Sequence, residues 1–151
     1  MQTRRSMLQR SFAVAGMLAT TGLFPELALA YNNAAFQAKT IQDAIKALGG
    51  SAPVESKDVA ITGPDIAENG AVVPLGASTT LANVKQLLIL VEKNPSTLVA
   101  MFNMSDSIEP TVSTRAKMGQ SSDVYAVAIT ADGKALFAKK EVKVTLGGCG
   151  G

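Results

Sequence analysis

Residues 83–93 read NVKQLLILVEK, and Leu87–Val91 within them are five apolar residues in succession. A strand with one wet face alternates apolar and polar residues. An unbroken run this short, closed by charge and by the Asn94-Pro95 turn signal, belongs to a strand covered on both faces. Its neighbours carry strand patterns too. SKDVAIT (56–62) stops at Gly63-Pro64, ENG (68–70) leads into AVVPLGAST (71–79), and STLVAMFNM follows at 96–104. TVSTRAKM (111–118) alternates, with Val112, Thr114, Ala116 and Met118 on one face and Ser113, Arg115 and Lys117 on the other. DVYAVAIT (123–130) and KALFAKKEVKVTL (134–146) flank Ala131-Asp132-Gly133-Lys134, a hairpin signal. In the last strand Val142, Val144 and Leu146 share a face opposite Lys143 and Thr145.

About seven strands at such spacing predict an all-β fold, an immunoglobulin-like β-sandwich, with a small barrel as the alternative. One helix is expected before them, over AAFQAKTIQDAIKALGG (34–50). Its stripe is Ala34, Ala38, Ile41, Ile45 and Leu48, and Gly49-Gly50 is its stop. That stripe either packs on the chain's own sheet or serves a partner.

Residues 1–30 read as an export signal rather than as part of the domain. Arg4, Arg5 and Arg10 precede an apolar stretch from Phe12 to Phe24, and Ala28-Leu29-Ala30 places cleavage between Ala30 and Tyr31. TRRSMLQ resembles a twin-arginine signal, with Met7 and Gln9 departing from its usual residues; an ordinary export signal containing Arg4-Arg5 is the alternative. The localisation expected is the periplasm. Three of the 14 Lys+Arg and one of the 12 Asp+Glu lie in this leader, leaving eleven of each. A neutral domain gives no argument for nucleic acid or an anionic membrane.

The chemistry available is narrow. With no histidine, Ser-His-Asp and Cys-His catalysis lack their base. With one cysteine there is neither an internal disulfide nor a Cys/His metal cluster. Asp106 with Glu109 and Asp65 with Glu68 read as solvated loop charge, Met101 and Met104 as core, and Arg115 with Lys117 as a wet strand face. No catalytic residue and no metal ligand is assigned.

The sole thiol stands in VTLGGCGG (144–151). The domain is expected to span 31–146, and Gly147, Gly148, Cys149, Gly150 and Gly151 to form a thin flexible arm. Nothing near Cys149 in sequence lowers its pKa, so at an ordinary value of about 8.5 a few per cent is thiolate at neutral pH. Activation must come from whatever receives the arm. Three readings stay open on these residues: a carried covalent group, a ubiquitin-like carrier using Gly150-Gly151, and a disulfide-linked dimer.

VKVTLGGCGG (142–151), AENGAVVP (67–74), LLILVEKNP (87–95) and STRAKMGQSS (113–122) resemble the corresponding stretches of the SoxY family, carriers of the bacterial thiosulfate-oxidising system. The resemblance implies a covalent sulfur carrier that is not itself an enzyme. Cys149 would hold the thiosulfate-derived group, with no other cofactor. It further implies a heterodimer with a SoxZ-like subunit. Transient visits to the c-type cytochrome SoxAX, the hydrolase SoxB and the sulfane dehydrogenase SoxCD are implied as well.

Overall fold

A computed structural model describes residues 33–145. The leader with Arg4 and Arg5, the Ala30–Tyr31 junction and the 147–151 arm lie outside the described residues.

Two short helices, α1 (Asn33–Gln37) and α2 (Ile41–Ala47), precede nine strands. In chain order the strands are β1 (Val54–Glu55), β2 (Val59–Thr62), β3 (Ile66–Ala67), β4 (Val73–Thr79) and β5 (Val84–Val91), then β6 (Leu98–Asn103), β7 (Thr111–Ala116), β8 (Ser122–Thr130) and β9 (Ala135–Val144). The larger sheet runs β1-β9-β8-β5-β6, with β3 also paired to β9, and the smaller runs β2-β4-β7. This is the expected β-sandwich. Its seven longer strands are those read from the sequence. The two additions, β1 and β3, are two-residue strands lying parallel along β9, at Val54↔Leu136 and Ile66↔Lys143. Two residues are too few to show any periodicity, so only the pairing reveals them.

The run at Leu87–Val91 has its explanation in three layers. Leu87, Ile89 and Val91 enter the core between the sheets, with Val73, Leu75, Val124, Ala126 and Val142. Leu88 and Leu90 point the other way and meet Ile41, Ala44 and Ile45 of α2. All five are fully buried. The helical segment therefore packs on its own sheet and is the third layer of the fold.

The single helix expected over 34–50 is corrected to two. Thr40 is extended (φ −126°, ψ 155°) and caps α2, its hydroxyl accepting from the Asp43 N–H at 3.1 Å and donating to the Asp43 carboxylate at 2.8 Å. Thr-x-x-Asp is a capping signal that a threonine supplies by offering the backbone an alternative partner. The buried stripe shifts with the break. Ala35 and Ala44 are buried, whereas Ala34 is exposed and Leu48 only half-buried. Gly49 closes α2 as expected, in the left-handed conformation (φ 80°), with Gly49 N–H on the Lys46 carbonyl and Gly50 N–H on that of Ile45.

The β8–β9 hairpin forms where Ala131–Lys134 predicted it. Gly133 takes φ 84°, and Thr130 and Lys134 close the turn through the Thr130 N–H, 3.0 Å from the Lys134 carbonyl. The Thr130 hydroxyl donates to Asp132, whose carboxylate also pairs with Lys134 at 3.0 Å. These two contacts, the hydroxyl first, lower the Asp132 pKa to about 2. A depressed carboxylate stabilises the fold above its unfolded pKa, and that contribution is lost as pH falls through the folded value. The side chain is solvent-exposed, so the stability effect is small and the titration itself is the measurement. In carbon-detected NMR Asp132 is expected to titrate near pH 2, and Thr130→Val to move it up toward the ordinary carboxylate range. An unmoved midpoint would show that the hydroxyl is not the cause.

Candidate functional site

Cys149 and its four flanking glycines lie outside the described residues, so the describable part of the site is its root, the end of β9. Four contacts fix that root. Lys143 N–H donates to the Asp65 carbonyl at 3.0 Å, and Thr145 N–H to the Ala67 carbonyl at 3.1 Å, so β3 follows β9 to its last described residue. From the other side Val144 N–H donates to the Ser121 hydroxyl at 2.9 Å. Beneath it, the Met118 N–H reaches the Gly70 carbonyl at 2.7 Å.

Gly70 must be glycine for want of space. A Cβ there would collide with the Met118 carbonyl oxygen and lie 2.8 Å from Val144 Cγ1. The three segments that meet at this end, 67–70, 118–121 and 143–145, thus interlock at atomic contact. Two of the stretches that carry the SoxY resemblance, AENGAVVP and STRAKMGQSS, supply the braces. Gly70→Val is expected to destabilise the domain by about 2–4 kcal/mol, because the collision is partly with backbone that cannot yield cheaply. Urea unfolding checks this; a loss below about 1 kcal/mol would mean that the root can shift.

The charged residues considered from sequence do not converge. Asp65 pairs with Lys140 at 2.8 Å, and that lysine also donates to the Gly63 carbonyl at 2.7 Å. The hydrogen bond from Lys140, assisted by its charge, holds the Asp65 carboxyl below its ordinary range. Glu68 follows β3, exposed, and Asp106 and Glu109 are exposed in the loop before β7. Arg115 and Lys117 are exposed on either side of buried Ala116, as the alternation required. Met101 packs on the helix side of the larger sheet and Met104 on the sandwich core, so the two thioethers do not share a site.

Cavities add no chemistry. One cavity, of about 750 Å³, is an open groove on the outer face of the smaller sheet. It is lined by Thr62, Pro64, Pro74, Gly76, Ser113 and Arg115 among others, with the arginine its one charged residue. A second, of about 390 Å³, lies between α2 and the Tyr125–Phe137 ring pair, whose centroids are 5.5 Å apart. Burial there pushes the Tyr125 phenol up from its ordinary value. No group of three or more Cys, Asp or Glu side chains that could hold a metal ion is found among the described residues. The sequence reading missed the root's brace. ENG signalled a turn, but nothing in a single sequence says which backbone that turn will touch.

The sequence matches the family model for the sulfur oxidation protein SoxY over residues 45–149, a range that ends on Cys149. Among solved structures the fold is similar to that of the sulfur carrier protein SoxY from Chlorobium limicola f thiosulfatophilum. That match has 36% identity and a TM-score of 0.64, covering 71% of this chain and 97% of that one. Two variants of the superoxide reductase (neelaredoxin) from Ignicoccus hospitalis each match at 18% identity and a TM-score of 0.51. They cover 58% of this chain and 79% of theirs, a likeness of fold alone. No protein with a curated description matches.

Proposed function

The chain belongs to the SoxY family of sulfur oxidation proteins, and from that membership we propose that it is a covalent sulfur carrier of thiosulfate oxidation rather than an enzyme. Cys149 is the attachment point, and Gly147, Gly148, Gly150 and Gly151 make the arm that presents it. The observation that carries this reading is the family match, which extends to Cys149 itself in a chain with no other thiol.

Loading joins the Cys149 sulfur to the outer sulfur of thiosulfate. The thiol proton and two electrons leave, the electrons to a c-type cytochrome, SoxAX. Water then attacks the sulfone sulfur under a hydrolase, SoxB. Sulfate and a proton depart, and a persulfide stays on the cysteine. The sulfane dehydrogenase SoxCD then oxidises that outer sulfur, water supplying its oxygens while protons are released and the electrons pass to a cytochrome acceptor. This leaves a sulfonate group on the cysteine sulfur. A second hydrolysis releases sulfate and a proton and returns the thiol. A SoxZ-like subunit is the standing partner, and a twin-arginine leader, Arg4-Arg5, would carry the folded pair to the periplasm.

Intact-mass spectrometry of the full chain from cells respiring thiosulfate tests the reading. Adducts removed by a thiol reductant and mapped to Cys149 are expected. A chain that stays unmodified while thiosulfate is consumed would refute it.

A further inference from the structure

The groove on the outer face of the smaller sheet holds no nucleophile and no acid–base pair, but its floor has a definite build. Three outward positions stand in register across it: Thr62 on β2, Gly76 on β4 and Ser113 on β7. Strands about 4.8 Å apart place the two hydroxyl residues roughly 10 Å apart at the backbone, one on each side of the glycine. A Cβ at Gly76 would collide with the Thr62 hydroxyl and lie 3.2 Å from the Val112 carbonyl oxygen. The Thr62 hydroxyl therefore reaches in over the middle strand, into space that a side chain at 76 would fill.

Arg115 holds the next outward position of β7, in register with Pro74 on β4. It is the only arginine after position 10, and every other cationic side chain among the described residues is a lysine. Arg115 is exposed in the groove and makes no ion pair among the described residues. The Thr62 and Ser113 hydroxyls likewise have no hydrogen-bond partner among them. No carboxylate is among the described residues that line the groove, and Asp65, next in sequence to Pro64 at its rim, is tied to Lys140 at 2.8 Å. A guanidinium fork and two hydroxyls over one open floor, with no negative charge, are a donor set for an oxyanion. A carboxylate commits both oxygens to the fork. A tetrahedral anion has oxygens left for the two hydroxyls, and that decides the class.

We propose that this groove binds a free tetrahedral oxyanion of the sulfate class, held by the Arg115 guanidinium and by the Thr62 and Ser113 hydroxyls. The binding is reversible and makes no bond to the protein, so the proposal does not rest on the carrier reading. Thr62 and the pair Ser113 and Arg115 belong to the two outer strands of the smaller sheet. An anion held by all three therefore ties β2 to β7 across β4.

The test is a sulfate titration of the full chain followed by NMR, with chloride keeping the ionic strength constant. The Arg115 Nε–H signal and the amides of Gly63, Gly76 and Ser113 are expected to shift together and to saturate with one midpoint. Read on those amides, Arg115→Gln should weaken the midpoint about tenfold or more, and Ser113→Ala about fivefold. Arg115→Lys should fall between wild type and Arg115→Gln, since it keeps the charge and loses the fork. Lys117→Gln removes an exposed cation of the same strand face that does not line the groove, and should leave the midpoint where it was. All these side chains are exposed, and melting temperatures check that each variant is folded. Shifts that grow without saturating, an unmoved midpoint in Arg115→Gln, or an equal loss from Lys117→Gln overturns the site, because each means diffuse screening of a basic face. Acetate saturating the same signals more tightly than sulfate overturns the tetrahedral class.

Discussion

Cys149→Ser is expected to abolish carrier-dependent thiosulfate turnover while leaving the domain as stable as before. The chain has one thiol and no histidine, so no second residue can accept a sulfur atom in its place. A serine hydroxyl cannot form the S–S bond on which loading depends, and its far higher pKa leaves no useful oxyanion. The fold should not notice the change. Among the described residues both cores and the brace at the end of β9 are closed without Cys149, and substitutions away from such features stay within about 0.5 kcal/mol. Oxygen uptake with thiosulfate and a urea titration read the two halves of the expectation. Retained uptake would refute the role of Cys149. Loss of the non-reducing dimer with uptake intact would favour a disulfide-linked structural protein. The thiol also has no activating group in its own sequence neighbourhood. Alkylation of the free carrier should therefore rise about tenfold per pH unit up to about 8.5. A plateau near neutral pH would mean that the chain activates its own cysteine.

The parts of this fold that the sequence discloses are those fixed by periodicity. TVSTRAKM alternates because β7 has a core behind it and water before it, and the structure buries Ala116 and Met118 while leaving Ser113, Arg115 and Lys117 exposed. The hairpin at Ala131–Lys134 is legible because φ > 0 at Gly133 is a local demand. What stays hidden depends on partners distant in sequence. β1 and β3 exist only because β9 offers an edge to them, and Val54 or Ile66 alone shows no strand pattern. The break at Thr40 sits between the two. Its Thr-x-x-Asp signal is present, but the surrounding stripe fits one continuous helix equally well, and the cap decides. The proposed attachment at Cys149 draws on composition and glycine content, and the proposed cargo only on the family resemblance. The braced root was legible from neither, since it arises where 67–70, 118–121 and 143–145 meet.

The bracing gives the glycines a defined place to begin. A carrier arm that frayed back into β9 would lengthen its reach but blur the position of the thiol relative to the surface a partner grips. Thr145 is bonded to Ala67, and Val144 to Ser121. These contacts hold the described chain as far as Thr145, and the proposed arm begins beyond it.

That rigidity depends on two cores that share one sheet, and the sharing can be measured. Ile45 of α2 and Ile129 of β8 belong to the helix-side cluster and crowd the same spot at Gly50, where a Cβ would meet Ile45 Cγ2 at 2.6 Å and Ile129 Cδ1 at 3.2 Å. Ile89 belongs to the cluster between the sheets, on the opposite face of β5. Each of Ile45→Ala, Ile129→Ala and Ile89→Ala is expected to cost about 2–5 kcal/mol, since all three are essentially fully buried. Double-mutant cycles then separate the layers. Ile45 and Ile129 open into one shared void, so their losses should differ from additivity by about 0.5–3 kcal/mol. Ile45 and Ile89 have the thickness of a sheet between them and should add to within about 0.5 kcal/mol. Strong coupling of Ile45 to Ile89 would mean that the helical layer and the sandwich are one continuous core. The helices would then stabilise the β9 root directly, and loosening them would loosen the position of the thiol as well.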